Sequence, residues 1–295
     1  MKRTALEKIF NVCNIILMVI LCVIMIYPYL NQIAISLNEG MDTMAGGITI
    51  LPRKFTLANY KTVLLNPDIL QAAFISVTKV ILHVALALII TFFAAYALTR
   101  RGLPSKRGFT LFLMIPAYVT AGVIPIYILY RYLGLIDNYW VYVLPESFVF
   151  YNMVILRSFL QDIPESIDES AMIDGANEFQ SMYKITLPLS LPVLATITLW
   201  VAVNSWNEYN LTLMYVTNKK LYTLQYVMMQ LVKESELVQQ MAIQSAMGNT
   251  NASAQPTPDS IKAATLIVTT IPIIMIYPFL QKYFVKGITV GAVKG

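Results

Sequence analysis

The stretch ESAMIDGANEFQSMYKITLP, residues 169–188, is a polar segment in an otherwise strongly apolar chain. It carries Glu169, Asp174 and Glu178, contains one glycine, Gly175, and ends in the apolar sequence Ile-Thr-Leu-Pro. Apolar runs flank it on both sides. The pattern therefore predicts a short amphipathic helix outside a bilayer, between two membrane-spanning segments.

The composition of the 295 residues is that of a membrane protein. Hydrophobic residues make up 57% and charged residues 13%, whereas soluble domains carry about 25% charge, and the mean hydropathy is +0.64. A soluble protein with an unusually large core is disfavoured, because several apolar runs reach the roughly 20 residues that cross a bilayer. Cys13 and Cys22 fall on opposite faces of one predicted helix, so neither a disulfide nor a metal site is expected.

Six apolar segments predict six transmembrane helices in an all-α fold. They cover residues 11–36, 70–98, 109–130, 139–160, 185–216 and 262–284. The predicted organisation is an N-terminal segment with the first span (1–36), an external loop (37–69), a core with five spans (70–285) that includes a second external loop (217–261), and a C-terminal tail (286–295).

The N-terminal sequence MKRTALEKIF, followed by an apolar run, also resembles a secretory signal. The run from Val12 to Leu30 contains Pro28 and lacks a clear small-x-small cleavage site. These features favour a retained first helix over a cleaved signal.

The distribution of lysine and arginine predicts that both termini lie in the cytoplasm. The basic residues on that side are Lys2, Arg3, Lys8, Arg100, Arg101, Lys106, Arg107, Lys282, Lys286 and Lys294. Their position at the ends of apolar runs explains the net charge of +5 without nucleic-acid binding. The loops 37–69 and 217–261 carry sparser basic residues, and the second contains the turn-rich sequence GNTNASAQPTPDS, so both are predicted to be external.

On this topology, residues 159–184 are cytoplasmic and strongly acidic. Six acidic residues stand against Lys184, which makes the formal charge −5. A helix lying on anionic headgroups would be rich in lysine and arginine, so an acidic helix at about 164–180 favours a basic partner surface. Ala171 and Gly175, four residues apart, predict a close-contact face that Phe179 continues.

The same residues resemble the EAA motif of ABC importer permeases. That motif reads Glu-Ala-Ala, three residues, Gly, nine residues, and Ile-x-Leu-Pro. Its counterparts here are Glu169, Ser170, Ala171, Gly175, Ile185, Leu187 and Pro188. The only departure is Ser170 in place of the first alanine.

Four other segments resemble carbohydrate-uptake permeases of the maltose type. They are AAYALTR (94–100), SWNEY (205–209), YTL (222–224) and VKGITVGAVKG (285–295). The resemblance covers about residues 60–295 and is especially close to the subgroup that handles complex oligosaccharides.

The resemblance implies a type I ABC importer permease fold with six transmembrane helices and a cytoplasmic coupling helix, in a bacterial inner or plasma membrane. It implies that Glu169 and Gly175 are the key positions where the motif docks on an ATPase subunit. It also implies two ATPase copies that bind ATP and Mg, a second homologous permease, and an extracytoplasmic sugar-binding protein that delivers an oligosaccharide. In this chain no cofactor, metal site or catalytic residue is expected, since no P-loop, H-E-x-x-H or G-x-S-x-G sequence occurs.

A second group of polar residues interrupts the fifth predicted span. Trp200, Asn204, Asn207, Glu208 and Leu211 recur at the spacing of one helical face. Polar side chains within a membrane face protein or water. The stripe is therefore compatible with a sugar path, where amides, a carboxylate and an aromatic ring would contact the sugar, or with hydrogen bonds between helices.

Three further polar positions lie in other predicted spans. Asn152, next to Tyr151 in the fourth span, is a weaker candidate for the substrate path. His83 in the second span has no acid or cysteine near it in sequence and is interpreted as a packed neutral histidine. Lys79 is expected to extend toward the interface or to face another chain.

Two other classes of protein remain open. A self-sufficient secondary transporter would need an inverted repeat and paired intramembrane ionisable groups, and neither is clear in the sequence. A membrane enzyme that acts on lipid-linked sugars would need clustered acids, histidines or a metal site, which the sequence lacks.

Overall fold

The computed structural model describes residues 5–100, 102–244 and 257–292. Within these ranges the regular structure is helical, apart from one antiparallel bridge between Asn38 and Phe55. The first half contains α1 (Ala5–Ser36), α2 (Gly40–Met44), α3 (Ala58–Leu65), α4 (Pro67–Thr99), α5 (Lys106–Tyr118), α6 (Val123–Tyr132) and a 3₁₀ helix (Tyr139–Tyr142). The second half contains α7 (Phe150–Gln161), α8 (Glu165–Ile173), α9 (Glu178–Ser181), a π-helical turn (Met182–Thr186), α10 (Leu187–Leu189), α11 (Leu191–Asn207), α12 (Asn210–Tyr215), a 3₁₀ turn (Lys219–Leu221), α13 (Leu224–Gln244) and α14 (Pro258–Ala292).

Three helical segments are long and apolar enough to cross a membrane. They are Leu6–Ser36, Pro67–Thr99 and Pro258–Ile276, with 31, 33 and 19 residues. At about 1.5 Å per residue, even the shortest spans nearly 30 Å, the thickness of a bilayer's hydrocarbon core. These segments correspond to the first, second and sixth predicted spans.

The third and fifth predicted spans are broken helices rather than continuous ones. Helices α5 and α6 are bent by 114° across residues 119–122, where Gly122 has a φ of 81°. The helical segments Glu178–Leu189 and Leu191–Asn207 are bent by 71° at Ser190. By length and composition the described chain therefore has three candidate spans, or up to five if each bent pair counts as one.

The prediction of a continuous fourth span at 139–160 is wrong. The chain forms a short 3₁₀ helix at Tyr139–Tyr142, then an irregular segment, and becomes helical again only at Phe150. Pro145 in this segment lacks a backbone N–H, and Glu146 has a φ of 59°, so neither residue continues a helix. The 12 residues of α7 extend only about 18 Å.

The two segments predicted as external loops contain helices of their own. Residues 37–69 include α2 and α3, and residues 217–261 include the 21-residue helix α13. Residues 245–256 of the second segment, and the basic residues Lys2, Arg3, Arg101 and Lys294, lie outside the described residues.

The chain divides into two compact units. The first comprises residues up to 70 together with 227–271. In it, a buried side chain, Asn59, donates hydrogen bonds of 2.9 Å to the carbonyls of Ser36 and Asn38. These bonds hold α3 against the end of α1, whose apolar side chains are largely exposed. Cys13 and Cys22 in α1 are free.

The second unit comprises residues 71–226 and 272–295. Its main hydrophobic core lies between α4, α7 and α11 and includes the fully buried side chains Ala95, Met153, Leu156 and Ile197. A second cluster joins α4 to the 3₁₀ helix and α12, with Ile75, Tyr142 and Tyr215 among its members. Both candidate functional regions lie within this unit.

Candidate functional site

A cavity of about 370 Å³ opens between α4, α7 and α11. It is lined by Lys79, His83, Tyr142, Pro145, Glu146, Val149, Tyr151, Asn152, Trp200, Val201, Asn204, Ser205, Glu208 and Leu211. Four of the five predicted path residues, namely Trp200, Asn204, Glu208 and Asn152, meet here although they come from different elements.

The fifth predicted residue, Asn207, does not line the cavity. Its side-chain amide donates to the Val203 carbonyl at 2.9 Å and its oxygen accepts from Gln225 at 3.3 Å. The predicted helical face does not continue to Leu211, because α11 ends at Asn207 and Glu208 adopts an extended conformation. Glu208 and Leu211 line the cavity because the helix is interrupted after Asn207. A projection of the sequence onto one continuous helix does not predict this arrangement.

Lys79 is the polar group that the sequence interpretation missed. Its side chain is only 2% exposed, so the expectation that it would extend to the interface or face another chain is wrong. The Lys79 ammonium donates to the Glu208 carbonyl at 3.0 Å and lies 3.8 Å from the Glu208 carboxylate. It also lies 5.3 Å from the centre of the Tyr142 ring. A charge buried this deeply requires such partners.

The two carboxylate oxygens of Glu208 have different environments. Oε1 accepts a hydrogen bond of 2.8 Å from the Leu211 backbone N–H in the first turn of α12. Oε2, which faces Lys79, is buried without a hydrogen-bond partner. Buried carboxylate oxygens are normally satisfied, so the nearby Lys79 ammonium is the main compensation for the charge on this atom.

Aromatic and amide groups form another part of the lining. The rings of Tyr151 and Trp200 stack with centroids 6.2 Å apart and planes 25° apart. Asn152 is buried, whereas Asn204 is exposed. His83 is packed as predicted, with Nδ1 3.1 Å from the Val143 carbonyl, yet it also lines the cavity.

The second candidate region is the acidic segment between α7 and α11. The prediction of one helix over about 164–180 is wrong in its centre, since α8 ends at Ile173 and α9 begins at Glu178. Gly175 has a φ of 82°, in the left-handed region that glycine favours. The Ala176 N–H bonds to the Ala171 carbonyl at 2.9 Å and the Gly175 N–H to that of Met172 at 3.1 Å. This pair of bonds is a Schellman C-cap.

Ala171 and Gly175 do not share one face of a continuous helix, because α8 ends at Ile173. Ala171 is 8% exposed and packs within this chain. A Cβ added to Gly175 would meet no atom within 4 Å. The most exposed apolar side chains of the segment are instead Ile173, at 87%, and Phe179, at 73%.

The remaining motif residues lie at the two ends of this segment. Glu169 and Ser170 are exposed, and the Ser170 hydroxyl donates to the Ser166 carbonyl at 2.7 Å. Ile185 belongs to the π-helical turn, a rare structure often found at functional sites. Leu187 packs against the core between α4, α7 and α11, whereas Pro188 is exposed.

Arg100, assigned from the sequence only to membrane orientation, joins the acidic segment to the end of α4. Its Nη1 donates to Asp168 at 2.7 Å, and its Nε lies 3.3 Å from Glu178. The guanidinium stacks 4.4 Å from the centre of the Tyr96 ring. Burial acts to raise the pKa of Asp168, but hydrogen bonds from Ser181 and Arg100 outweigh it and lower that pKa below its ordinary value.

Residues 87–290 match the family described as the binding-protein-dependent transport system inner membrane component. The chain belongs to this family. It is therefore a permease component of an ABC-type import system, and its several apolar helices are those of a multi-pass membrane protein. A self-sufficient secondary transporter is not favoured, even though the Lys79–Glu208 pair supplies the paired buried charges that were not clear in the sequence.

Two relatives match this permease over nearly its full length and nearly their own. Protein LplC of Bacillus subtilis is 35% identical over 295 residues, with 100% of this chain and 98% of the relative covered. The polygalacturonan/rhamnogalacturonan transport system permease protein YtcP of the same organism is 31% identical over 289 residues, covering 98% and 99%.

A solved structure supports the permease fold. A chain of a bacterial ABC transporter involved in the import of the acidic polysaccharide alginate superposes with a TM-score of 0.86 at 25% identity. The match covers 96% of this permease and 99% of that chain.

Proposed function

We propose that this permease passes an oligosaccharide across the membrane through the cavity between α4, α7 and α11. The observation that carries the proposal is the meeting of Trp200, Asn152, Asn204 and Glu208 at one cavity. Its volume of about 370 Å³ falls in the range of roughly 300–1,000 Å³ that is usual for small-molecule sites. The names of two similar proteins refer to transport of sugar polymers, which supports an oligosaccharide as the substrate class.

The chemistry of the lining suits a sugar. The stacked rings of Tyr151 and Trp200 offer an aromatic surface for the apolar face of a pyranose. Asn152 and Asn204 supply amide donors and acceptors for hydroxyl groups. Hydrogen bonding between helices, the other interpretation of these residues, accounts for Asn207 through its bond with Gln225 of α13, but not for this lining.

The acidic segment is proposed as the coupling element that docks on a partner ATPase. Glu169, Ser170, Ala171, Gly175, Ile185, Leu187 and Pro188 form the motif that carries this role. The exposed side chains Ile173 and Phe179, surrounded by acidic residues, would contact an apolar recess with a basic rim. Ala171 and Gly175 would act by shaping the segment, through packing and the C-cap, rather than as the contact surface.

Two physical links would carry motion of this segment to the cavity. Arg100 connects α8 and α9 to α4, which also bears Lys79 and His83. The π-helical turn and Leu187 connect the segment to α11, which bears Trp200 and Asn204. Closure of an ATPase pair on ATP would thus move both walls of the cavity.

The complete transporter is proposed to contain partners that this chain does not supply. They are two ATPase copies that bind ATP and Mg, a second homologous permease, and an extracytoplasmic binding protein that delivers the sugar. The proposed topology has six spans and cytoplasmic termini, and it requires the segment around α7 to cross with help from the irregular residues 143–149.

Uptake by the complete transporter tests the sugar path. We expect Trp200→Ala and Asn204→Ala to lower uptake of the transported oligosaccharide at least tenfold without loss of complex assembly. Asn207→Ala is the matched control on the same helix, since Asn207 lies outside the lining. Substrates would be found from stimulation of ATPase activity by pectic, alginate and neutral oligosaccharides with the binding protein. Equal uptake by all three variants and wild type would refute the path.

A further inference from the structure

The cavity contains a cation that a ligand cannot reach. Lys79 is the one lysine or arginine among the described lining residues. Its ammonium is held by the Glu208 carbonyl at 3.0 Å and lies beside the Glu208 carboxylate and the Tyr142 ring. With 2% of its side chain exposed, Lys79 is unavailable to an incoming anion while Glu208 stays in place.

Carboxylates outnumber cations in the lining. Glu208 offsets the charge of Lys79, and Glu146, which is exposed at the edge of the cavity, adds a second negative charge. His83 faces the Val143 carbonyl through Nδ1. With His83 neutral, the lining has a formal charge of −1, which acts against an anionic ligand.

The Glu208 carboxylate acts on a ligand through its charge rather than by direct contact of Oε2. That atom is buried and has no hydrogen-bond partner. A ligand carboxylate is repelled by the net negative charge of the lining, whereas an uncharged sugar hydroxyl is not. Asn152, Asn204 and Ser205, which a ligand could contact, are neutral.

We infer that this cavity selects sugar units without a free carboxylate, and that the Lys79–Glu208 pair sets this selection. The inference rests on the proposed sugar path and deepens it by naming the chemical class. The hydroxyls of the neutral unit bond to the Asn152 and Asn204 amides while its ring packs on Trp200. Acidic units of a mixed polysaccharide are excluded from this position, because the one ammonium among the described lining residues is already paired with Glu208.

Binding of two matched probes to the assembled membrane complex tests this selection. The probes are α-1,4-linked galactotriose and trigalacturonate, which differ by a hydroxymethyl group or a carboxylate on each ring. Wild type is expected to bind the neutral probe at least tenfold more tightly. Glu208→Gln, which removes the charge that masks Lys79, is expected to lower this preference about tenfold. Glu146→Gln is expected to lower it in the same direction without disturbing the buried pair.

Two controls separate the inference from the proposed function. Lys219→Gln removes an exposed charge outside the lining and should leave the ratio of the two affinities unchanged. Trp200→Ala should weaken binding of the neutral probe. If Trp200→Ala has no effect, or neither probe binds wild type, the sugar path itself is wrong. If Trp200→Ala weakens binding but wild type prefers trigalacturonate, or neither glutamate variant changes the ratio, the charge selection alone is overturned.

Discussion

The Arg100 guanidinium and the Asp168 carboxylate, 68 residues apart in sequence, meet at 2.7 Å. The contact joins the end of α4 to α8, and Arg100 also lies 3.3 Å from Glu178 at the start of α9. A planar guanidinium can engage two carboxylates at once, whereas an ammonium is a single point charge. The pair therefore fixes the orientation of the acidic segment against a membrane helix.

Replacing Arg100 by lysine is expected to uncouple ATP hydrolysis from transport. A lysine keeps the charge but cannot hold both acids, so α8 loses its fixed orientation to α4. We expect the number of sugars moved per ATP to fall roughly fivefold, in keeping with the loss of about 1 kcal/mol from a partly exposed contact. The measurement is uptake and ATPase activity in the same proteoliposomes.

Arg107→Lys is the control for this change, because Arg107 is exposed in the neighbouring α5 and should tolerate the substitution. A purely structural role for Arg100 would lower assembly and both activities together. An unchanged ratio of uptake to hydrolysis in Arg100→Lys would contradict the prediction.

Asp168 predicts a pH-dependent contribution to stability. Its pKa is lower in the folded protein than its ordinary value of 3.8. A lowered carboxylate pKa stabilises the fold above the unfolded pKa, and this stability is lost as the pH falls through the folded pKa. The difference in thermal midpoint between wild type and Asp168→Asn should be constant above about pH 5 and shrink below about pH 4.

Buffers of constant ionic strength are needed for that comparison. Asp162→Asn, in the same segment but exposed at the C-terminus of α7, serves as the control. A difference between wild type and Asp168→Asn that grows on acidification would show that the sign is wrong.

Gly175 is expected to be sensitive to backbone conformation more than to side-chain size. Gly175→Ala should destabilise the segment by about 1–2 kcal/mol, because alanine disfavours the left-handed region. Gly175→Asn should cost less, since asparagine tolerates this conformation. Thermal unfolding and co-purification with the ATPase measure the two effects separately.

Gly102→Ala is the matched control, since Gly102 has no positive φ and an added Cβ there meets no atom within 4 Å. If asparagine and alanine at position 175 lower stability equally, the C-cap is not the reason for the glycine. If asparagine restores stability but not ATPase binding, the position also contacts the partner.

Removing one charge of the Lys79–Glu208 pair is expected to destabilise the fold more than removing both charges. Lys79→Met leaves a buried carboxylate without its cation, a change that typically costs about 3–5 kcal/mol. The double variant Lys79→Met with Glu208→Gln removes both charges and retains an oxygen for the Leu211 N–H. We expect it to recover most of the lost thermal stability in detergent. A double variant as unstable as the sum of the two single changes would contradict the pairing.

Much of the membrane architecture was predictable because it depends on composition over long windows. The helices at Leu6–Ser36, Pro67–Thr99 and Pro258–Ile276 follow from apolar runs that need no tertiary information. The prediction of a continuous helix in the fourth span was wrong because Pro145 and Glu146 interrupt it, and hydropathy does not register backbone conformation. Glu208 lines the cavity, but not as part of a continuous helical stripe, because α11 ends one residue earlier, at Asn207.

Lys79 and Arg100 were recognisable in the sequence as charges in or near membrane spans, but their ion-pair partners were not. Lys79 lies within an apolar helix, where a charge requires a partner, but the partner is 129 residues away. Arg100 is one of several basic residues near the end of a span, and membrane orientation alone accounted for it. The contacts of both residues depend on long-range packing and could not be derived from spacing.

The amino-acid sequence alone was enough to identify the membrane class, the motif from Glu169 to Pro188 and four of the fourteen residues that line the cavity. These depend on local composition and on short, fixed spacings. The folded structure was needed to show that Gly175 caps α8, that Ala171 is buried, and that Lys79 and Arg100 are paired with acids on other elements. Burial and ion pairing depend on which helices pack together, and that packing joins residues far apart in the chain.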